Sequence, residues 1–533
     1  MRLLPLALML ALAGCASPTP PAAPFVAPPA PPAKLDSSQL DLNPVAQQIP
    51  ARPLPADWAR GAVFMEIYVR GYQDSNGDGI GDFRGLISRL DYLQALGVQG
   101  LWLMPVNQSQ DRDHGYAVVD YRDVEADYGS RADFKALLDA AHARGMGVIM
   151  DYVINHSSDA NPLFLDSKAN RNGKRDWYIW ADHDPQWYNW DQSETWHRVR
   201  PGKNYYYGVF WSGMPDFNLR NPQVLAFHHD NLRYWMNQGV DGFRFDAVGQ
   251  LVENGPKAYE SQPENKPILK DLQTLVHSYP GNFMVCEEPA DPVGAAQDDA
   301  CGSAFAFGFN EQVRASVKQG AATDKLIQIL QRYPLQQMGL VLGSHDSYAG
   351  ERLIEDLGGD EAAYRLAVAT QLTLPGQPFI YYGEEIGMGT SRGNGGDWGL
   401  RAPMSWQADG GFSTVTPFRA PADNQADYNA AEQQAEPDSL WHHYQRLIAL
   451  RKAHPALREG DLQLLAEGPV LAYLRQAGDE RVLVLLNYSH QAQALSLPLK
   501  SEAPQRLLGQ GTLSAGQTLQ LSLPAQGMAI YRL

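Results

Sequence analysis

Four acidic residues stand where apolar, strand-like runs end: Asp151 in GVIMDYV, Asp246 in GFRFDA, Glu287 in NFMVCEE and Asp346 in MGLVLGSHD. His156, Arg244 and His345 accompany them. One acid at a strand end is ordinarily a helix cap or a surface group. Several around one cleft split their pKa values, leaving one ionised as a nucleophile and another protonated as an acid. Such a pair can break a glycosidic bond with retention, one carboxylate attacking the anomeric carbon while the other protonates the leaving oxygen. Arg244 and Asp246, two apart in a strand, share a face. A buried ion pair is costly and seldom kept for stability alone; here Arg244 would keep the nucleophile Asp246 ionised.

The acids can share one rim only if their strands lie parallel in one sheet. From about residue 60, strand-like runs alternate with helical patterns such as FRGLISRLDYLQALG and RADFKALLDAAHARG, each closed by a glycine. Eight strand candidates begin near residues 62, 100, 147, 240, 282, 303, 338 and 378, the sixth, SAFAFGFN, being the weakest. The expected fold class is therefore α/β, a (β/α)8 TIM barrel, with reactive groups at the C-terminal ends of its strands. The barrel is expected over 58–156 and 214–454, interrupted by a small domain over 157–213, which is too long for a simple loop. Short alternating strands from 455 to 533 predict a C-terminal all-β domain of sandwich type.

A formal charge of −17 disfavours nucleic acid and anionic lipid as partners and leaves a neutral substrate. The first 15 residues, MRLLPLALMLALAGC, read as a signal peptide, too short to span a bilayer. Residues 16–57 are rich in proline and alanine at first and read as a tether. Cys286 and Cys301 remain in the body; export permits a disulfide between them, and the sequence leaves both the bonded and free forms open.

From about residue 58 to its end the chain resembles the alpha-amylase family, glycoside hydrolase family 13. DYVINH (151–156), GFRFD (242–246), the Glu of VCEEP and SHD (344–346) resemble its four core motifs in family order, and MPDFN (214–218) its fifth. PGQPFIYYGEEIGM and LRAPMSW are similar to later segments. The resemblance implies Asp246 as nucleophile, Glu287 as general acid and base, and Asp346 as a third carboxylate gripping sugar hydroxyls. It implies sugar contacts from His156, His345, Tyr116 of DHGY and Arg401, with Arg244 beside the nucleophile; Asp151 stays outside the catalytic set, as support for the strand end.

The loop DSNGDGIGD offers Asp74, Asn76, Asp78 and Asp82 at alternating positions plus the Ile80 carbonyl, oxygen ligands suited to a hard cation. The family's glucosidase-like branch has a similar loop, so a structural Ca2+ is expected here. LAGC at 12–15 resembles a lipobox, implying lipidation of Cys15, and Ala16 resembles the sorting signal for an outer membrane, facing periplasm or cell surface. The anchor would be the only membrane contact.

The MPDFN form resembles a branch between oligo-1,6-glucosidases and neopullulanases that includes lipoprotein alpha-amylases. The expectation is cleavage of internal α-1,4 bonds in starch or maltodextrins. The alternatives are an alpha-glucosidase, a neopullulanase or cyclomaltodextrinase, a trehalose-forming transglycosylase and, outside catalysis, an α-glucan-binding lipoprotein. Departures from the family pattern surround the acids: Ala117 where many members carry Asp, Ser344 for Asn, Cys286 for Gly, and Gln250 for His or Asn. Six tryptophans, Trp177, Trp180, Trp187, Trp190, Trp196 and Trp211, fall in or beside the inserted domain, either as its own core or as a wall for sugar rings.

Overall fold

The computed structural model describes residues 25–30, 33–51, 53–393 and 396–533. Cys15, the signal-like run and the start of the tether lie outside them. All eight expected strands are present: β1 (Phe64–Ile67), β2 (Gly100–Leu103), β3 (Gly147–Val153), β4 (Gly242–Asp246), β5 (Phe283–Cys286), β6 (Ala304–Phe305), β7 (Met338–Val341) and β8 (Gln377–Tyr381). They pair in parallel and close into a barrel, β8 returning to β1. β6, the weakest candidate, forms only two residues of strand.

Side-chain alternation decides what fills the barrel. Along β1, β3 and β5 the inward positions run from apolar to acidic, Phe64 then Glu66, Ile149 then Asp151, Val285 then Glu287. The lower members pack with Trp102, Phe305 and Phe379 into an interior cluster that Trp58 closes from below. Gly100 lies opposite Phe64 in the register, and a Cβ there would come within 2.4 Å of the Phe64 ring, so the small residue makes room for the aromatic floor. The lower layer is apolar, and the next inward layer carries the acids at the opposite mouth.

The inserted region leaves β3 and returns beside itself, His156 bridging Asp216 and Tyr178 bridging Phe217. It holds a helix (Pro162–Ala169) and a three-stranded sheet from residues 180–181, 196–198 and 205–207. Its core contains Trp196, Tyr207 and Val209, and Trp177 is also buried, whereas Trp190 and Trp211 are exposed. Of the six tryptophans, Trp177 and Trp196 are thus buried, and Trp190 and Trp211 lie at the surface.

The C-terminal domain pairs a five-stranded with a three-stranded antiparallel sheet, and Leu483, Leu485, Leu497, Leu519 and Leu521 share its core. Two buried arginines stitch it and the preceding helix (Leu440–Ala453) to the barrel through backbone oxygens. Arg475 donates to the carbonyls of Thr373 and Gly460, and Arg451 to those of Gly61, Leu372, Leu374 and Gly376.

The later part of the expected tether is docked rather than free. Lys34 pairs with Asp120, the Ser37 N–H donates to Asp166 (3.0 Å), Val45 N–H to Asp230 (3.0 Å) and Gln48 N–H to Asn237 (2.8 Å). The physical reason lies in partners remote in the chain: this stretch supplies backbone donors, and the barrel helices and inserted domain present Asp and Asn acceptors to them. Among the described residues no helix is long and apolar enough to cross a membrane.

Candidate active site

Strand parity and strand ends bring Arg244 and Asp246 from β4, Asp151 from β3 and Glu287, just past β5, to one point. Arg244 Nη1 donates to Asp246 Oδ1 at 2.6 Å and to Asp151 Oδ1 at 2.8 Å, and its Nη2 donates to Glu287 Oε2 at 2.7 Å. Ala247, the next residue after β4, has φ 49°, and its N–H donates to the same Glu287 oxygen at 3.0 Å. A left-handed alanine costs about 1–2 kcal/mol, an expense characteristic of functional sites.

Arg244 does not serve Asp246 alone, which changes the role the sequence suggested for it. One guanidinium faces three buried carboxylates. Burial pushes Asp246 well up, Arg244 pulling against it and Glu287 and Asp151 adding to it. Burial likewise raises Asp151 to about 6 against the pull of Arg244 and His345. Burial thus favours the protonated forms of Asp246 and Asp151, and Arg244 pulls both back toward the carboxylate.

A second, opposite electrostatic arrangement surrounds Asp346. His345 Nδ1 lies 2.5 Å from Glu66 Oε1, and its Nε2 is 3.1 Å from Asp346 Oδ2 and 2.7 Å from the Tyr116 hydroxyl. Tyr116 has one proton, which it donates to Asp151 Oδ2 (3.0 Å), so it accepts from His345 Nε2–H. Burial works to neutralise His345, but Asp346 and Glu66 outweigh it and raise the imidazole to about 10. Asp346 in turn is held far below the usual carboxylate range: burial opposes its charge, and His345 and Arg401 overcome that opposition. Arg401 Nη2 donates to Asp346 Oδ1 at 3.1 Å and its Nε to the His345 carbonyl at 3.1 Å.

The candidates Asp246, Glu287, Asp346, Tyr116, Arg244, His345 and Arg401 thus form one connected network. His156 stands at the rim in ring contact with Phe210 (5.1 Å); both its ring nitrogens are buried without a hydrogen-bond partner, and burial lowers it to about 3, leaving a neutral imidazole with free polar capacity. Four further participants were not singled out from the sequence. Glu66 lies inside β1, where its alternation with Phe64 was the available signal. Trp102 donates to Asp151 Oδ2 at 3.1 Å and lies under the Arg244 guanidinium. Tyr348 points its hydroxyl at Glu287 Oε1 from 3.4 Å. Asp113 accepts from Tyr68 (2.6 Å) and Arg419 (2.7 Å), and its second oxygen, buried without a hydrogen bond, is ion-paired with Arg401 at 3.9 Å.

Cys286 and Cys301 are joined by a disulfide, which resolves the open alternative. It ties β5, at the residue immediately before Glu287, to the segment leading into β6.

Away from the acids, the 74–82 loop folds on its own oxygens. Asp74 Oδ1 accepts from the N–H groups of Asn76 (3.0 Å) and Gly77 (2.7 Å), Asn76 Oδ1 from Asp78 (2.9 Å), and Asp78 Oδ1 from Ile80 (2.9 Å). Among the described residues no group of three or more His, Cys, Asp or Glu is arranged to hold a metal ion. The loop's donor set is instead carboxylate, amide and carbonyl oxygen, which fits a hard cation. Asp82 closes the same loop: its oxygens accept from Ser75 and cap the helix Phe83–Ser88 through Gly85 N–H.

Comparison with known proteins agrees with this geometry. Residues 66–460 match the family model "Alpha amylase, catalytic domain", and residues 462–530 match "Maltogenic Amylase, C-terminal domain". The chain is 32% identical to a probable alpha-glucosidase of Rhizobium meliloti, over 90% of this chain and 97% of that one. It is 34% identical to the trehalose synthase/amylase TreS of Mycobacterium tuberculosis, over 91% and 92%. Among solved structures it resembles an alpha-glucosyl transfer enzyme, XgtA, with TM-score 0.79 and 29% identity over 89% of this chain and 99% of that one.

Proposed function

Because the chain belongs to the alpha-amylase family, glycoside hydrolase family 13, and is a glycosidase, we propose that it cleaves α-glucosidic bonds of short α-1,4-linked oligosaccharides with retention. The released glucosyl unit passes to water or to a sugar acceptor. This favours the alpha-glucosidase and trehalose-forming alternatives over the starch-cleaving alpha-amylase that the motifs alone suggested, in keeping with the relatives named alpha-glucosidase and trehalose synthase.

The carrying observation is that Asp246 and Glu287 sit on the two terminal nitrogens of one guanidinium, at 2.6 and 2.7 Å. A shared guanidinium keeps the two carboxyls neighbours, as retention needs, in which they stand about 5 Å apart. In the forward step Asp246 attacks the anomeric carbon as Glu287 gives its proton to the leaving oxygen. Glu287 then takes a proton from the water or hydroxyl that releases the glucosyl–Asp246 ester. Ionised Asp346, with Arg401 and His345, offers charged partners to the sugar's hydroxyls and stabilises the oxocarbenium-like transition state. The Asp113 oxygen that faces Arg401 without a hydrogen bond suits the hydroxyls of a terminal ring.

A second reading, internal cleavage of longer chains, is favoured by one residue: Ala117 stands where an acid would hold the non-reducing end. A product time course on maltose, maltotriose, starch, pullulan and cyclodextrin separates the two. Glucose or trehalose from maltose supports the first reading, rapid shortening of starch with inert maltose the second, and β-anomeric first products would defeat retention itself.

Two subsidiary proposals rest on the sequence. A Ca2+ ion bound by Asp74, Asn76, Asp78, Asp82 and the Ile80 carbonyl would brace the loop and supply no chemistry to the reaction. Export with lipid attached at Cys15 would anchor the body to an outer membrane; labelling with radioactive palmitate, lost in Cys15→Ala, checks it.

A further inference from the structure

One carboxylate of the network lies behind the others. Glu66, an inward residue of β1, is 1% exposed, and His345, which covers it, is fully buried. Glu66 Oε1 meets His345 Nδ1 at 2.5 Å, and its Oε2 is buried without a hydrogen bond. Leaving a buried carboxylate oxygen unsatisfied is costly. Among the described residues the only side-chain hydrogen bond of Glu66 is the one to His345, so whatever it does for the reaction passes through that ring.

The partners of His345 set its protonation by geometry. Nδ1 faces the Glu66 carboxylate, and Nε2 faces Asp346 Oδ2 at 3.1 Å and the Tyr116 hydroxyl at 2.7 Å. A neutral imidazole has one N–H and would turn a bare lone pair toward one of the two carboxylates; only the imidazolium donates to both. The Tyr116 hydroxyl is equally constrained. It accepts from Arg244 Nη1 at 3.3 Å and from His345 Nε2–H, and gives its one proton to Asp151 Oδ2 at 3.0 Å. A neutral His345 donating to Glu66 through Nδ1–H would ask Tyr116 for that same proton. The direction of donation from His345 through Tyr116 to Asp151, beside the Arg244 that holds Asp246 and Glu287, therefore depends on the charge of His345.

The groups facing the ring come from every wall around it. Trp102 of β2 lies 5.8 Å away, edge on; Tyr116, from the loop after β2, is stacked at 5.6 Å; and Asp151 ends β3. Ser344, 3.4 Å from Nδ1, and Asp346 flank His345 in the chain, and Arg401 donates to the His345 carbonyl at 3.1 Å. Behind Glu66 stand Tyr381 of β8 and, just past it, Glu384. Burial works to neutralise the ring, and Asp346 and Glu66 overcome it. Asp346 must also serve the hydroxyls of a bound sugar, whereas Glu66 is shielded from them.

We propose that Glu66 is a positioning residue, which keeps both His345 nitrogens protonated while Asp346 engages the sugar and so fixes the direction of the hydrogen bonds that run through Tyr116 to Asp151. The inference rests on the reading of the protein as an α-glucosidic bond-cleaving enzyme. Glu66 also balances charge: without it, a pocket in which positive oxocarbenium character develops would hold one more uncompensated cation.

Resonances of carbon-13-labelled histidine Cε1 in the full chain, with His345 assigned by its loss in His345→Gln, report the charge of the ring from pH 6 to 9. The kcat and KM for maltose are measured over the same range. In the parent the His345 signal is expected to stay at its imidazolium position throughout. Glu66→Gln keeps an acceptor opposite Nδ1 and removes the charge, so the ring should lose its proton within that range. The kcat should then fall about tenfold or more with KM little changed. In a Tyr116→Phe background, which cannot pass the hydrogen bond on, the further effect of Glu66→Gln on kcat should largely vanish.

A parent ring that is neutral at pH 7 overturns the proposal, and that measurement needs no variant to fold. An imidazolium that persists to pH 9 in Glu66→Gln overturns it too, as does parental kcat once the ring is neutral. Full additivity of the Glu66 and Tyr116 substitutions refutes the route through Tyr116. If the ring titrates as stated while the parent turns over no α-glucan, the charge arrangement stands and the enzymatic reading falls.

Discussion

Arg244 and Glu287 are joined by a 2.7 Å hydrogen bond from Nη2, while the other terminal nitrogen of the same guanidinium holds Asp246 at 2.6 Å. One side chain thus sets the spacing of both reacting carboxylates. Arg244→Lys supplies charge without the planar fork, so kcat is expected to fall at least about a hundredfold. Arg244→Met removes the charge and is expected to cost about 3–5 kcal/mol of stability, the penalty for leaving buried acids unpaired. Kinetics and urea unfolding check both; a lysine variant with near-parental kcat would show that the fork is dispensable.

Glu287→Gln retains the shape and hydrogen-bonding oxygen of the residue while removing its proton chemistry. Turnover of unactivated oligosaccharides should fall by about 10²–10⁴-fold with binding retained. Steady-state assays and calorimetry measure the two quantities, and turnover within a few fold of the parent would reassign the acid.

His345 gives a pH dependence of definite sign. Its folded pKa, raised to about 10, lies above the ordinary histidine value of about 6.5. The ion pairs with Asp346 and Glu66 therefore stabilise fully below about pH 6.5 and lose their contribution as pH climbs through about 10. The stability difference between the parent and His345→Gln should shrink across that window, by at most about 1.4 kcal/mol per pH unit. Denaturant titrations at pH 6, 8 and 10 check it; a difference that stays level between pH 8 and 10 would mean that the histidine is already neutral there.

The Cys286–Cys301 disulfide spans a sequence separation of 15 and ends one residue before Glu287. Breaking it with Cys301→Ala should cost about 3 kcal/mol by release of loop entropy and lower kcat by loosening the acid. Melting curves and kinetics under oxidising and reducing conditions test this, and an unchanged melting temperature would show that the crosslink contributes nothing to the barrel.

Chelation offers a check on the loop at 74–82. Removing Ca2+ should lower Tm by several degrees, restored by Ca2+ in excess, while Asp74→Asn should melt low with or without it. Because the ion is assigned no step in catalysis, initial rates well below Tm should change little. No shift in Tm on chelation, with metal analysis finding no calcium, would remove the ion from the account.

Much of the site was legible before the fold. The alternation of residues along strands tells which face each acid takes, and the spacing of Asp151, Arg244, Asp246, Glu287 and Asp346 at run ends predicts their convergence once eight parallel strands are recognised. What alternation cannot report is how one residue divides itself among partners. Arg244 could be assigned to Asp246 from two positions of sequence, yet Asp151 and Glu287 arrive from β3 and β5 and claim its other hydrogen bonds.

The same limit separates other residues. Glu66 was not singled out, because its bond to His345 joins positions 279 apart in the chain. Residues 34–57 read as spacer by composition, since the Asp and Asn side chains that receive their N–H groups are supplied by distant segments. The sequence by itself determined the element order, the acids and the motif family, because those depend on local periodicity and residue chemistry. Only the tertiary structure decided how charge is shared among the acids, which tryptophans face solvent and that Cys286 meets Cys301, because each depends on distances between segments remote in the chain.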